Sequence, residues 1–245
     1  MPVVRTDQLT RRFGELVAVN GVSLNVEARE NFGLIGPNGA GKSTLIKMLT
    51  TMLRPSAGRA WVAGFDVSAA PEQVRKHIGY VPQLLSSDRE LTGYENLLLS
   101  ARLYLIPHQE RAQRIEAALA MMGLEDARDK LVGSYSGGML RRLEIAQSML
   151  HRPAILFMDE PTVGLDPGGR HTVWNHVRTL NRELGSAIVL TTHYMDEAEE
   201  LCDRVALIVG GKLKAIGTPD ALKTKYAPGG SLDDVYEALV GASPP

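Results

Sequence analysis

The sequence has few of the features that mark secreted or nucleic-acid-binding chains. Its 245 residues include a single cysteine, Cys202, so no disulfide can form within the chain. Lysine and arginine number 27 against 28 aspartates and glutamates, which leaves a net charge of −1. Because nucleic-acid-binding domains carry a basic excess, we expect no nucleic-acid partner. The composition is that of a globular chain that folds without disulfides.

Long apolar runs are also absent. Runs such as Ala154–Met158 and Ala187–Leu190 have the length of β-strands, whereas a membrane-spanning helix needs about 18 consecutive apolar residues. The first residues, Met1–Asp7, lack the basic and then apolar order of a signal peptide. We therefore expect that the chain, if it serves a membrane, does so through a partner protein.

Short apolar runs alternate with helical patterns, which predicts an α/β domain with parallel strands buried on both faces. Three runs, Asn31–Ile35, Ala154–Met158 and Ala187–Thr191, are predicted strands that each lead into glycine or polar residues. A fourth, Val205–Val209, precedes Gly210-Gly211 and predicts a strand followed by a hairpin turn. Polar groups at the ends of central strands are where ligands bind in such sheets.

Residues 92–150 have helical periodicity and few strand signals. The segment from Arg111 to Met122, for example, places apolar residues three and four apart. We predict one domain over residues 1–220, with a helical subdomain inserted at about 86–150. A tail over residues 221–245 carries a capped amphipathic helix at Ser231–Leu239, followed by a loose Pro-Pro terminus.

A glycine-rich segment provides the clearest chemical signal. Gly36-Pro37-Asn38-Gly39-Ala40-Gly41-Lys42-Ser43 matches the pattern G-x-x-x-x-G-K-[ST], with a predicted strand before it and a helix from Thr44 after it. The glycines let successive backbone N–H groups point inward as an anion nest, and the helix dipole adds positive potential at the same place. Lys42 supplies charge for the β- and γ-phosphates, and the Ser43 hydroxyl can ligate Mg²⁺. The segment predicts binding of ATP and Mg²⁺.

Downstream residues extend this site. Ser136-Gly137-Gly138 begins a second helix whose first N–H groups can also face phosphate, which indicates head-to-tail pairing of two copies of the chain. An apolar strand ends in Asp159 and Glu160, which are suited to the Mg²⁺ shell and to polarising an attacking water. His193 ends the next strand, where a γ-phosphate would lie.

Together these motifs resemble the ATP-binding-cassette (ABC) ATPase family over nearly the whole chain. The matching segments are the phosphate loop at 36–44, a glutamine in 80–83, a signature turn at 135–139, the carboxylate strand ending at 159–160, Gly164-Leu165-Asp166, and His193. The resemblance implies a P-loop NTPase (RecA-like) core with an antiparallel β-subdomain and the inserted helical subdomain.

The resemblance also implies residue roles. The catalytic residues are Glu160, His193, Gln83 and Lys42, and the Mg²⁺ ligands are Ser43, Gln83 and Asp159. Phe13 occupies the place of the aromatic residue that stacks on adenine. The nucleotide-binding residues are Phe13, Gly36, Pro37, Asn38, Gly39, Ala40, Gly41, Lys42, Ser43, Thr44, Ser136, Gly137, Gly138 and Asp166.

The flanks of the signature turn indicate a branch of the family. Tyr-Ser-Gly-Gly-Met, followed by Arg141-Arg142 and a tail at 231–236, resembles the drug- and antibiotic-resistance exporters whose membrane subunits are of the ABC-2 type. This implies a homodimer on the inner, cytoplasmic face of the membrane, bound to an integral membrane permease. Val163 replaces the serine or asparagine that is usual in the family, and we expect no loss of activity from it.

Two other functions stay open. A soluble ABC ATPase could act on nucleic acid or ribosomes, but the repair types carry a long coiled coil, and no sustained heptads occur here. The translation types carry two cassettes, and this chain has one. A regulatory cassette that binds ATP without hydrolysis would usually lack the carboxylate or the histidine, whereas Glu160 and His193 are both present.

Overall fold

The buried runs form the centre of a six-stranded sheet in the computed structural model, which describes residues 2–241. The strands of the chain are β1 Val4–Phe13, β2 Leu16–Val22, β3 Asn25–Val26, β4 Asn31–Ile35, β5 Ala57–Val62, β6 Phe65–Asp66, β7 Ile78–Val81, β8 Ile155–Asp159, β9 Ala187–Thr192, β10 Arg204–Val209 and β11 Lys212–Gly217. The helices are α1 Lys42–Leu49, α2 Pro71–His77, α3 Gly93–Leu103, α4 His108–Met121, α5 Gly137–Met149, α6 Pro167–Leu184, α7 Met195–Leu201, α8 Pro219–Tyr226 and α9 Leu232–Gly241.

The six-stranded sheet has the order β11-β10-β4-β9-β8-β7. Its strands are parallel except β11, which pairs antiparallel with β10 through the predicted Gly210-Gly211 turn. Every residue of β4, β8 and β9 is buried, as expected for parallel strands covered on both faces. The predicted strands are therefore confirmed, although the one expected at Ala154–Met158 begins at Ile155 and includes Asp159.

The register of the central strands sets the position of the site. Ile35 pairs with Thr192, and Asp159 pairs with Thr191. The carboxyl ends of β4, β8 and β9 therefore lie side by side at one edge of the sheet. The loops that leave these strands meet there.

A second sheet, with the order β2-β1-β5-β6, lies near the N-terminus, and β3 pairs with β1. All its pairings are antiparallel, which confirms the antiparallel β-subdomain that the resemblance implied. Its first strand ends at Phe13, and Gly14 follows with φ of 58° at the hairpin turn. This sheet brings Phe13 toward the edge where the site lies.

Three helices, α3, α4 and α5, lie in the sequence between β7 and β8, which are neighbours in the parallel sheet. Over residues 86–150, all of which the structure describes, no β-strand forms. Thr92 begins α3 with a capping box, because its hydroxyl accepts from the Glu95 N–H and the Glu95 carboxylate accepts from the Thr92 N–H. The helical character is confirmed, while the domain limits at 1–220, 86–150 and 221–245 stay a prediction.

The C-terminal helix α9 spans Leu232–Gly241, close to the predicted range. Ser231 and Asp234 cap it reciprocally, with the Ser231 N–H donating to the Asp234 carboxylate at 2.7 Å. The predicted Pro-Pro terminus, residues 244–245, lies outside the described residues. Within residues 2–241, no helix combines the length and the apolar character that crossing a bilayer requires.

His151 joins the helical segment to the sheet. Its ring stacks on Tyr104 with centroids 3.9 Å apart, and its Nε2 lies 2.9 Å from the carbonyl oxygen of Ile78. Because a carbonyl only accepts, Nε2 carries the hydrogen of the neutral ring, and the buried Nδ1 has no hydrogen-bond partner. Desolvation by burial lowers the pKa of His151 below its ordinary value of 6.5, and the hydrogen bond to Ile78 opposes this only in part.

We predict that His151 makes the free energy of unfolding depend on pH in mildly acidic solution. Because the pKa is lower in the folded chain, the unfolded chain binds the proton first. The stability that His151 contributes is therefore complete above the ordinary value of 6.5 and is lost as the pH falls toward the folded-state pKa. His151→Phe keeps a ring on Tyr104 but cannot bind a proton. Between about pH 7.5 and about pH 5.5, the free energy of unfolding of this variant, measured in urea, should therefore fall less than that of the wild type.

His108→Gln is the control, since His108 is exposed at the start of α4. Its stability should decline with pH as in the wild type. An equal decline in wild type and His151→Phe would contradict the prediction.

Candidate functional site

The phosphate loop connects β4 to α1 and depends on glycine at three positions. Gly36, Gly39 and Gly41 have φ of 147°, 78° and 101°, a region that side chains disfavour. A Cβ at Gly36 would lie 2.1 Å from the Ile208 carbonyl oxygen, and one at Gly41 would lie 2.3 Å from that of Ala18. The loop can therefore pack this closely only with glycine. It leads into α1, whose first N–H groups have no partner within the helix.

Lys42, the first residue of α1, is buried, and polar groups compensate its charge. Its Nζ donates to the carbonyl oxygens of Gly36 at 2.7 Å and Pro37 at 3.1 Å. It also lies 3.2 Å from Oε1 of Glu160, which is buried as well. Lys42 thus connects the loop after β4 with the end of β8.

Asp159 receives two hydroxyl groups on one carboxylate oxygen. Ser43 donates to its Oδ1 at 2.9 Å, and Thr191 donates to the same atom at 2.7 Å. A hydroxyl and a carboxylate in contact present oxygen ligands to one point, which is the ligand type that Mg²⁺ prefers. The donor set at Ser43 and Asp159 therefore fits Mg²⁺.

Glu160 lies just beyond β8 with φ of 51°, in the left-handed region. Its N–H donates to the Thr191 hydroxyl at 2.9 Å, and its Oε2 lies 2.8 Å from Nδ1 of His193. A carboxylate only accepts, so Nδ1 carries the hydrogen. The Glu160 carboxylate is therefore held between His193 on one oxygen and Lys42 on the other.

Thr191 is a site residue that the sequence reasoning missed as a functional group. Its hydroxyl donates to Asp159 and accepts from the Glu160 N–H, so it positions both carboxyl groups. Thr191 is fully buried. The sequence signal for this role was a hydroxyl residue at the end of the buried apolar strand β9, which lies beside β8, the strand that ends in the carboxylates.

A depression of about 450 Å³ lies over the phosphate loop. Phe13 borders it and is 44% exposed, with the Arg11 guanidinium 4.5 Å from the ring centroid, so Phe13 is a surface aromatic and not a core residue. Gln83 follows β7 and borders the same depression. The residues lining it are Phe13, Leu16, Ala18, Asn38, Gly39, Ala40, Gly41, Lys42, Ser43, Thr44, Gln83 and Glu160.

Ser136, Gly137, Gly138 and Asp166 line a second depression, of about 410 Å³, which shares no lining residue with the first in the described part of the chain. Ser136 caps α5 through its hydroxyl, which accepts from the Met139 N–H at 3.3 Å. Asp166 caps α6 by accepting from the Gly169 N–H at 2.6 Å. The predicted nucleotide-binding residues therefore fall into two separate groups on one chain.

Known proteins resemble the chain in sequence. The profile of the family described as ABC transporter matches residues 19–163. The daunorubicin/doxorubicin resistance ATP-binding protein of Streptomyces peucetius is 46% identical over 90% of this chain and 67% of its own length. The Nod factor export ATP-binding protein I of Rhizobium sp. (strain N33) is 45% identical over 86% of this chain and 69% of its own length.

Solved structures resemble the chain in fold. An ATP-binding subunit of an ABC transporter superposes with a TM-score of 0.86 at 30% identity, covering 97% of this chain and 99% of that one. An ATP-binding cassette in a dimeric post-hydrolysis state with ADP and phosphate gives a TM-score of 0.78 at 25% identity, covering 88% of this chain and 98% of that one. The chain therefore belongs to the ABC transporter family, in which it is an ATP-binding and ATP-hydrolysing subunit that energises transport.

Proposed function

We propose that two copies of this ABC ATPase pair head to tail, bind two ATP molecules between them, and drive export through a separate membrane permease. The observation that carries this proposal is the separation of the two depressions. The phosphate loop and Glu160 border one, and Ser136-Gly137-Gly138 borders the other. Because both groups suit phosphate but lie apart on one chain, a second copy is needed to bring them to the same nucleotide.

In the proposed complex, the phosphate loop and Lys42 bind the β- and γ-phosphates. Lys42 already lies 3.2 Å from Glu160, so binding phosphate places the nucleotide beside that carboxylate. Phe13, exposed at the border of the depression, stacks on adenine. The partner copy contributes its signature turn and Asp166 from the opposite side.

Glu160 acts as the general base that takes the proton of the attacking water. The His193 N–H donates to its Oε2 and fixes the orientation of the carboxylate. Ser43 and Asp159 hold the Mg²⁺ that accompanies ATP, with Gln83 added from the border of the depression. When bound, Mg²⁺ neutralises charge that develops on the β- and γ-phosphates.

The proposed cargo class follows from the relatives. One is a daunorubicin/doxorubicin resistance protein, and another is a Nod factor export protein. We infer a drug-like or lipophilic cargo that passes through an integral membrane permease. The ATPase would then be cytoplasmic and peripheral on the inner face of the membrane. No feature of residues 2–241 favours the alternative of a soluble ABC ATPase acting on nucleic acid or ribosomes.

The first test is Glu160→Gln. The amide keeps the shape of the side chain but cannot take the proton from water, so ATP hydrolysis should fall by about a hundredfold or more. ATP binding should persist, and an ATP-bound dimer should accumulate because the step that separates the copies is lost. Phosphate release measures the first effect, and light scattering after gel filtration measures the second.

Glu183→Gln serves as a control, because it removes a carboxylate near the end of α6, away from both depressions. It should behave as wild type in both assays. A Glu160→Gln protein that hydrolyses ATP at the wild-type rate would overturn the assignment of the base. A protein that binds ATP but stays monomeric would count against head-to-tail pairing.

The second test concerns Mg²⁺. Ser43→Ala removes one of the three proposed oxygen ligands and leaves the Asp159 carboxylate without the Ser43 hydrogen bond. We predict that the Mg²⁺ concentration for half-maximal hydrolysis rises by about tenfold, which corresponds to roughly 1.4 kcal/mol of lost binding.

Ser68→Ala, at an exposed position before α2, is the control and should leave the Mg²⁺ requirement unchanged. Titrating MgCl₂ at saturating ATP measures the requirement. An unchanged requirement in Ser43→Ala would remove Ser43 from the metal site.

The third test concerns the partner and the cargo. Tagged chain expressed in its native cells should copurify from membranes with a polytopic protein, whereas copurification with DNA or ribosomes would support the soluble alternative. Inside-out vesicles from these cells should accumulate an anthracycline in the presence of ATP, and the Glu160→Gln form should abolish this uptake. Uptake that is equal with and without the active chain would contradict the cargo class.

A further inference from the structure

A buried ion pair outside the predicted site lies on α5, the helix that begins at the signature turn. Arg141 and Glu144 are 2% and 3% exposed, and Nη1 of Arg141 lies 3.0 Å from Oε2 of Glu144. A buried pair of this kind requires further polar partners to offset its desolvation. Those partners identify what the pair does.

The partners of Arg141 are backbone atoms of the loop that follows β7. Its Nη1 donates to the Pro82 carbonyl oxygen at 2.6 Å, and its Nη2 donates to the Gln83 carbonyl oxygen at 2.9 Å. Gln83 borders the depression over the phosphate loop. Arg141 therefore holds the backbone of a residue at the first depression.

Glu144 holds the same loop three residues further on. Its Oε1 accepts from the Ser86 N–H at 2.5 Å and from the Ser86 hydroxyl at 3.2 Å. One turn along α5, Gln147 accepts from the Ser87 hydroxyl at 3.0 Å. Three side chains on one face of α5 thus bind both ends of loop 82–87.

The loop has little apolar anchoring at its centre. Leu84 is 82% exposed and Leu85 is 50% exposed, so these two residues do not fix it by burial. Polar contacts to α5 therefore determine where the loop lies. Since Arg141 is five residues from Ser136, it lies about 7.5 Å along the helix axis from the signature turn.

We propose that Arg141 and Glu144 are positioning residues that couple the two depressions, so that Gln83 moves with α5, the helix that Ser136 caps. A nucleotide held by the signature turn of one copy thereby sets the position of Gln83 over that copy's own phosphate loop. The proposal rests on the proposed function, because it requires a second copy to bring ATP to the signature turn. Neither residue lines either of the two depressions.

The decisive variant is Arg141→Lys. Lysine keeps the charge beside Glu144, but its single ammonium lacks the planar fork that reaches two carbonyl oxygens at once. We expect kcat for ATP hydrolysis to fall about tenfold, equivalent to roughly 1.4 kcal/mol, which is the size of one charge-assisted hydrogen bond. KM for ATP should stay within about twofold, since the phosphate loop is untouched. A merely structural role would instead lower the amount of folded, ATP-binding protein and leave kcat per active site unchanged.

Arg114→Lys is the matched control. Arg114 lies on α4, pairs with Glu110 and donates to the Leu150 carbonyl oxygen at 3.1 Å, so it has the same types of partner. Within residues 2–241, Arg114 has no hydrogen bond to loop 82–87. Its kcat should equal that of the wild type.

Hydrogen exchange in the Glu160→Gln background tests the coupling directly. Adding ATP should slow amide exchange over residues 84–88 as well as in the phosphate loop. In Arg141→Lys/Glu160→Gln the slowing at 84–88 should disappear while that of the phosphate loop remains. Unchanged kcat in Arg141→Lys, or equal slowing at 84–88 in the single and double variants, would overturn the proposal.

Two further results keep the test decisive. If Arg141→Lys fails to fold, Glu144→Gln replaces it as the test variant. This variant keeps an acceptor for the Ser86 N–H but removes the charge that orients Arg141. We expect the same loss of kcat. If ATP does not slow amide exchange at 84–88 in Glu160→Gln, the coupling is overturned, since the residues of α5 are unaltered in this variant. If Glu160→Gln forms no dimer with ATP, the proposed function fails. If the dimer forms but amide exchange at 84–88 does not slow, only the coupling fails.

Discussion

The parallel register of β8 against β9 is the constraint on which the site depends. It sets Thr191 opposite Asp159, where one hydroxyl donates to the Asp159 carboxylate at 2.7 Å and accepts from the Glu160 N–H at 2.9 Å. Because both strands are buried on both faces, a shift of one residue would leave the buried Asp159 without the Thr191 hydroxyl that donates to it. The burial that stabilises the sheet therefore also fixes two carboxyl groups. His193, just beyond the end of β9, and Lys42, at the start of α1, then reach Glu160.

The contiguous motifs could be predicted because their chemistry is local. Residues 36–43 carry the glycines, the lysine and the hydroxyl in one segment, and the apolar run before Asp159 identifies a buried strand on its own. The roles of Thr191 and Arg141 could not be predicted in this way, because they depend on contacts to residues far away in the sequence, which no local pattern records. The N-terminal sheet was predicted only through family resemblance. In β1 the alternation of burial is interrupted by register shifts and by Gln8, whose φ is 49°.

In the proposed dimer, the signature turn and the phosphate loop of one chain are half-sites of two different nucleotide sites, and the fold connects them within that chain. Helix α5 starts at one half-site, and its buried face holds the loop that borders the other. A polar connection is suited to this task, because hydrogen bonds to a backbone specify one geometry, whereas an apolar contact tolerates sliding. Leu84 and Leu85 lie at the centre of this loop, and because their side chains are exposed, burial does not oppose a movement of the loop.

Glu160 lies in a left-handed backbone conformation, which costs a residue with a side chain on the order of 1 kcal/mol or more. An ordinary strand conformation would send Asp159 and Glu160 to opposite faces of the sheet. The left-handed turn instead lets these adjacent carboxylates serve different partners at the same edge, Ser43 and Thr191 for one and Lys42 and His193 for the other. Glycine or asparagine would adopt this backbone with less strain. Backbone strain and the proposed catalytic role therefore meet at one residue, so a substitution at 160 that relieves the strain would raise thermal stability while removing the proposed base.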